Sequence, residues 1–193
     1  KNITSIMLPS TIKHIRYQAF RSLTQTHTIT LNEGLETIGN RAFCTSSGLS
    51  GTVEIPASID SISGYAFYNC TGIAVIKINR ETPCKLEEEA YYFTNVVKIE
   101  VPCQSGRLYR ADSKWAKISF EDPCEVIVDN IRYVATSNTE AMALGYTPTK
   151  PTGRLEFPET IQYNANTLKV TEIYDKAFSY LGITELILPK YLT

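Results

Sequence analysis

The sequence predicts a repeat solenoid, mainly β, in which a parallel β-sheet is built with short helical turns and a β-hairpin or meander separates two arrays. Three observations predict it. A strand-like segment recurs at a fixed period, an alanine-aromatic step recurs in phase with it, and one stretch of hairpin character interrupts both.

The strand-like segments are Ile6-Met7-Leu8-Pro9, Ile29-Thr30-Leu31-Asn32, Val53-Glu54-Ile55-Pro56, Ile76-Lys77-Ile78-Asn79 and Ile99-Glu100-Val101-Pro102. Their starts lie 23, 24, 23 and 23 residues apart. Apolar-x-apolar has the period of a strand with one buried face. Pro ends such a strand because it cannot donate to a ladder, and Asn tolerates turn geometry. Strands over 5–8, 28–31, 52–55, 75–78 and 98–101 are therefore expected in one parallel sheet, neighbours following sequence order.

The second element is an apolar residue, three others, then Ala and an aromatic: Ile15 with Ala19-Phe20, Ile38 with Ala42-Phe43, Ile62 with Ala66-Phe67, and Leu86 with Ala90-Tyr91. Its spacings are 23, 24 and 24 residues. A small and a large residue side by side fit a short helical turn. One such unit cannot close a core alone, so stacked units must bury their aromatics against one another. Phe20, Phe43, Phe67 and Tyr91 are expected to form that column, each buried ring contributing about 1.5–3 kcal/mol.

These residues resemble the BspA-like leucine-rich repeats, found in surface proteins of gut and oral anaerobic bacteria and in some protist surface proteins. The motif there runs apolar-x-x-Ile-x-Ile-Pro, Val-x-x-Ile-Gly, Ala-Phe-x-x-Cys. The unit from Val53 through Ile62, Ala66-Phe67 and Cys70 matches it well, and Ile38-Gly39 with Ala42-Phe43 follows it. Asn32 and Asn79 replace Pro, Tyr91 replaces Phe, and Cys70 alone holds the motif cysteine. The resemblance covers nearly the whole chain and implies a non-catalytic, secreted or cell-surface module for protein or glycan binding or adhesion. The second reading it leaves open is a structural spacer within a larger surface protein.

In the light of that resemblance, Val101-Pro102 leading to Tyr109 and Trp115 looks like an array terminator, near 101–120. Val126-Ile127-Val128 and Ile131-Arg132-Tyr133-Val134, joined by Asp129-Asn130, then read as a hairpin with positive-φ turn residues. Ala141–Tyr146 adds a third strand, and 147–153 is a turn-rich connector. The repeat returns at Leu155-Glu156-Phe157-Pro158, makes an excursion through Tyr163–Asn166, and resumes at Ala177-Phe178 and Leu186-Ile187-Leu188-Pro189. Two domains follow, an array over 1–122 and, over 123–193, the hairpin with the start of a second array. The strands that open and close the chain lack evident caps. Continuation of the protein beyond both termini and end-to-end self-association are expected from this.

Composition bounds the function. The 193 residues carry a net charge of −1, which gives no electrostatic footprint for nucleic acid or an anionic membrane. No stretch approaches the roughly 18 apolar residues that span a bilayer. Cys44, Cys70, Cys84, Cys103 and Cys124 are irregularly spaced and remote in sequence from His14 and His27, so no zinc pattern emerges. Most are expected to be small buried hydrophobes, and Cys103 with Cys124 is the best-placed pair if any is bridged. Glu87-Glu88-Glu89 reads as a solvated turn, and Ser46–Gly51 lacks the lysine of a phosphate loop. Asn2-Ile3-Thr4 and Asn69-Cys70-Thr71 are glycosylation sequons, meaningful only in a cell that uses them. No catalytic, cofactor or metal residues are proposed.

What a stacked sheet offers is surface. Residues between the buried ones face outward in two columns: Met7, Thr30, Glu54, Lys77 and Glu100, and Ser5, Thr28, Thr52, Val75 and Lys98. Glu54, Lys77 and Glu100 alternate in sign on strands about 4.8 Å apart. This face is the candidate site for a protein or glycan ligand, and a merely solvated sheet is the competing reading.

Overall fold

A computed structural model describes residues 3–87, 98–147, 150–179 and 181–193, and the chain divides into two units, Lys1–Pro123 and Cys124–Thr193. In the first unit the apolar-x-apolar segments become strands: β1 (Ser5–Met7), β2 (His14–Ile15), β3 (Thr28–Thr30), β4 (Thr37–Ile38), β5 (Gly51–Ile55), β6 (Ser61–Ile62), β7 (Ile73–Ile78), β8 (Lys85–Leu86) and β9 (Lys98–Glu100). All pairings among them are parallel. β1 pairs β3, β5 pairs β7 and β7 pairs β9, with Ile6 opposite Ile29, and Val53 opposite Ile76 opposite Ile99. The short β2, β4, β6 and β8 form a second ladder in the same order.

The expected single five-stranded sheet is corrected. Order and direction are as expected, but the ladder breaks between β3 and β5, leaving sheets of two and three strands. Two residues explain the break. The longer connection before β5 ends at Gly51, φ +72°, where the register of β5 against β7 also shifts. At the far end, Pro56 stands where Asn79 of the next coil donates its N–H to the Ile55 carbonyl at 2.9 Å, and proline has no N–H to give. The Ser50 N–H to the His27 carbonyl, 3.0 Å, still joins the two coils.

The expected helical turn is also corrected. The Ala-aromatic step lies on a tight turn flanked by two left-handed residues. Gln18, Arg41 and Tyr65, each just before the alanine, have φ of 55°, 56° and 56°. Ser22, Thr45 and Asn69, two places after the aromatic, have φ of 60°, 59° and 55°. Such conformations cost roughly 1–3 kcal/mol each for non-glycine residues. The return is hydrogen bonding between coils. The N–H groups of Gln18, Phe20 and Ser22 donate to the carbonyls of Asn40, Ala42 and Cys44 at 3.1, 2.8 and 2.9 Å. Those of Arg41, Phe43 and Thr45 reach Gly64, Ala66 and Tyr68 in the same way. A helix would have spent these donors within its own coil.

The rings stack as expected where they can be followed. Phe20 and Phe43 are 5.5 Å apart at 8°, and Phe43 and Phe67 5.1 Å apart at 13°. Phe43 and Phe67 are buried and Phe20 half-buried. Tyr91 lies outside the described residues. Close stacking also forbids side chains at two glycines. A Cβ on Gly39 would sit 2.8 Å from the Ile15 carbonyl oxygen, and one on Gly72 2.3 Å from that of Leu49.

The terminator folds over the last coil. After β9 come α1 (Gly106–Ala111) and a 3₁₀ turn, Trp115–Lys117. The Asp122 carboxylate accepts the N–H groups of Gln104 and Gly106 at 3.1 and 2.8 Å, anchoring the entry to α1. Glu121 continues the strand register beside Glu100.

The second unit contains β10 (Glu125–Val128), β11 (Ile131–Ala135), β12 (Glu140–Tyr146), β13 (Thr152–Glu156), β14 (Thr160–Tyr163), β15 (Asn166–Ile173) and β16 (Gly182–Ile187). Asp129 and Asn130, at φ 48° and 63°, make the expected hairpin turn between β10 and β11. β12 is the third strand, and β14 and β15 form a hairpin from the excursion, giving the order β10-β11-β12-β15-β14. β13 and β16 pair in parallel with Leu155 opposite Leu186. Lys176, at φ 57° before Ala177, repeats the left-handed step of the first unit. Phe157 and Phe178 meet edge-on at 5.0 Å and 85° instead of stacking.

Candidate binding face

The two outward columns fall into register within each sheet. Ser5 lies opposite Thr28 and Met7 opposite Thr30. Thr52 lies opposite Val75 opposite Lys98, and Glu54 opposite Lys77 opposite Glu100. Met7, Thr30, Glu54, Lys77, Ser5, Thr28 and Thr52 are exposed, while Glu100, Val75 and Lys98 are half-buried. The face thus has two halves. Hydroxyls and Met7, 79% exposed, occupy the β1–β3 half, and charges occupy the β5–β7–β9 half.

The charges pair differently from a simple alternation. Lys77 lies 3.6 Å from Glu54, whereas Glu100 is taken by Lys98 at 2.8 Å, and Lys98 also holds Glu121 at 2.7 Å. These hydrogen bonds raise the Lys98 ammonium above the usual lysine range, the Glu100 bond most. Asn79 donates to Glu54 at 3.3 Å. Exposed pairs of this kind stabilise by about 1 kcal/mol or less, so the face is not held rigid by them.

Where the ladder breaks, a cleft of about 280 Å³ opens on this face, lined by Ile29, Thr30, Leu31 and Glu33 on one side and Thr52, Glu54, Pro56 and Asn79 on the other. Three predicted residues, Thr30, Thr52 and Glu54, meet there. Glu33, Pro56 and Asn79 were not anticipated. The signals for the cleft were the single 24-residue spacing between successive strand segments and the proline after β5.

Among the described residues, the free cysteines and His14 are taken up in packing and bonding. Cys44, Cys70 and Cys84 are free and buried. Burial pushes the thiols of Cys70 and Cys84 up to about 12. The Cys70 Sγ donates to the Phe43 carbonyl at 2.9 Å, tying the motif cysteine to the aromatic column. Cys103 and Cys124 are disulfide-bonded. His14 shares a hydrogen bond with Thr37 across coils at 3.0 Å. Since the thiolate is the reactive form, the native, non-reduced chain should show no titratable thiol at pH 8 and three in denaturant. A thiol that reacts promptly in the native chain would contradict this packing.

Among curated protein sequences none matches the chain. Residues 1–111 match the BspA-type leucine-rich repeat region in six copies. The period, the stacked Ala-aromatic turns and this match over more than half of the chain agree: the chain belongs to the BspA-type leucine-rich repeat family.

Proposed function

We propose that the chain is a non-catalytic adhesion module, secreted or carried on a cell surface, whose first unit acts as a short solenoid and binds a protein ligand. The domains would be the array with its terminator, and the hairpin with the start of a second array. The observation that carries this reading is the cleft between β3 and β5. It interrupts an otherwise flat face and brings exposed Thr30, Thr52 and Glu54 to its rim. A repeat module of this family supports protein interaction in general, and a concave, mixed polar and apolar hollow is where an anchor side chain would sit. The disulfide at Cys103 and Cys124 supports an oxidising compartment. Among the described residues no helix is long and apolar enough to cross a membrane. The second reading, a spacer, is favoured by the charge pairs that already satisfy much of the face.

The test is a panel of purified extracellular proteins presented to the chain and to Thr52→Arg, which fills the cleft without touching the core. Binding by the parent and a loss of about tenfold or more in the variant is expected. A partner that binds both alike would move the site off the cleft, and no partner at all would leave the spacer reading in possession.

A further inference from the structure

A second surface has a chemistry of its own. The exposed residues of the turns that bear the stacked aromatics differ in composition from the candidate sheet columns. Across 16–22, 39–45 and 63–69 there are three arginines, Arg16, Arg21 and Arg41, and no Asp or Glu. The whole chain by contrast has a net charge of −1. All three arginines are exposed, and none has a carboxylate partner among the described residues. Tyr17 is 62% and Tyr68 38% exposed on the same turns.

The stacking of coils gathers these groups. The N–H of Gln18 bonds the Asn40 carbonyl and that of Arg41 bonds the Gly64 carbonyl, so successive turns lie one ladder step apart. The Arg41 guanidinium lies 5.4 Å from the centre of the Tyr65 ring, which in turn meets Tyr68 edge-on at 5.5 Å. Ser22 and Thr45 hydroxyls pair at 2.9 Å beside them. At the first coil the surface opens into a shallow hollow of about 440 Å³ lined by His14, Ile15, Arg16, Tyr17, Thr37 and Gly39. Among the described residues, the acids that border this surface are engaged. Glu36 is held by Lys13, whose hydrogen bond keeps its carboxyl below the usual range. Glu87 accepts the Ser63 hydroxyl at 2.7 Å.

We propose that this turn face is a binding surface for an acidic glycan, distinct from the sheet face and independent of what the sheet face binds. Unpaired arginines supply the attraction for sulfate or carboxylate groups, and Arg can bind such groups through two parallel hydrogen bonds. Exposed tyrosine rings offer flat platforms with a polar tip, and hydroxyls between them can donate and accept. A shallow, open hollow suits an extended polar chain that stays partly hydrated, whereas an acidic protein partner would seek a pocket that desolvates an anchor.

The experiment applies the whole chain to immobilised heparin, neutral dextran and polyglutamate, with elution by salt. The chain should be retained on heparin at low salt, released as salt screens the charges, and pass through dextran. Arg16→Ser/Arg21→Ser/Arg41→Ser and Tyr17→Ala/Tyr68→Ala should each weaken heparin binding about tenfold. Both sets alter exposed side chains, and unchanged melting curves will show that they fold. Arg154→Ser, an exposed arginine in the second unit, should change nothing. Passage of the parent through heparin, or equal loss with Arg154→Ser, overturns the proposal. Polyglutamate bound as tightly as heparin, with the tyrosine variant unimpaired, overturns it in favour of an acidic protein.

Discussion

Replacing Phe43 with alanine should lower the unfolding free energy of the first unit by about 3–5 kcal/mol, the range for deleting a buried aromatic. The ring is fully buried between Phe20 and Phe67, at 5.5 and 5.1 Å. Its surroundings cannot close over the hole. The Phe43 N–H is fixed to the Ala66 carbonyl at 2.8 Å, and the Phe43 carbonyl receives the Cys70 thiol. The coils on either side are therefore pinned at their ladder spacing. Phe20→Ala is the internal comparison: the ring is half-buried at the first coil, and its loss should cost clearly less. Denaturant midpoints for the parent and both variants measure this. A midpoint for Phe43→Ala equal to that of the parent would show that the column is not a source of stability.

Trp115→Ala should be the second large loss, also about 3–5 kcal/mol, and for a reason beyond volume. Trp115 is the chain's one tryptophan, fully buried, with its ring edge-on to Tyr109 at 4.9 Å. Its Nε1–H donates to the Cys84 carbonyl at 2.8 Å. Tyr109 donates its hydroxyl to the Arg80 carbonyl at 2.7 Å, and Lys114 donates to the Leu86 carbonyl at 2.6 Å. The terminator thus satisfies three carbonyls of the coil it covers, work that another coil would otherwise do. Trp115→Phe keeps most of the bulk but strands the Cys84 carbonyl, so roughly 1–3 kcal/mol should be lost from that bond alone. Hydrogen exchange should quicken around residues 80–86 in both variants and more in Trp115→Ala. Exchange that quickens uniformly over the unit, or not at all, would show that the terminator is no cap.

The strands, their direction and their register were legible because a period of 23 or 24 residues carried by two elements admits little else. The hairpin at Asp129-Asn130 was legible because those residues tolerate positive φ. Two features were not. The left-handed places are filled by Gln18, Arg41, Tyr65 and Lys176, residue types that give no sign of such a conformation. At Gln18 and Arg41 the neighbouring coil accepts the N–H group and so offsets the cost. The β3–β5 break was written in Gly51 and Pro56, but Pro also follows β1 and β9, so the same residue reads as an ordinary strand end. Of the candidate face, the columns were legible from alternation alone. The cleft and the arginine-tyrosine turns were not, since both depend on which residues of different coils become neighbours.

The pairing distances of the first unit also set how it is made. Every strand pairing there joins residues 22 to 24 apart in sequence. A coil arriving at its neighbour closes a loop of that length and no longer, however many coils are already in place. Loop-closure entropy grows only with the logarithm of loop length, about 0.6 kcal/mol per doubling, so here it stays constant from step to step. Assembly can then spread like a zip from whichever pair forms first, at a pace set by one coil and not by the array. The same geometry makes the first coil, with Phe20 only half-covered, the natural place for the zip to open.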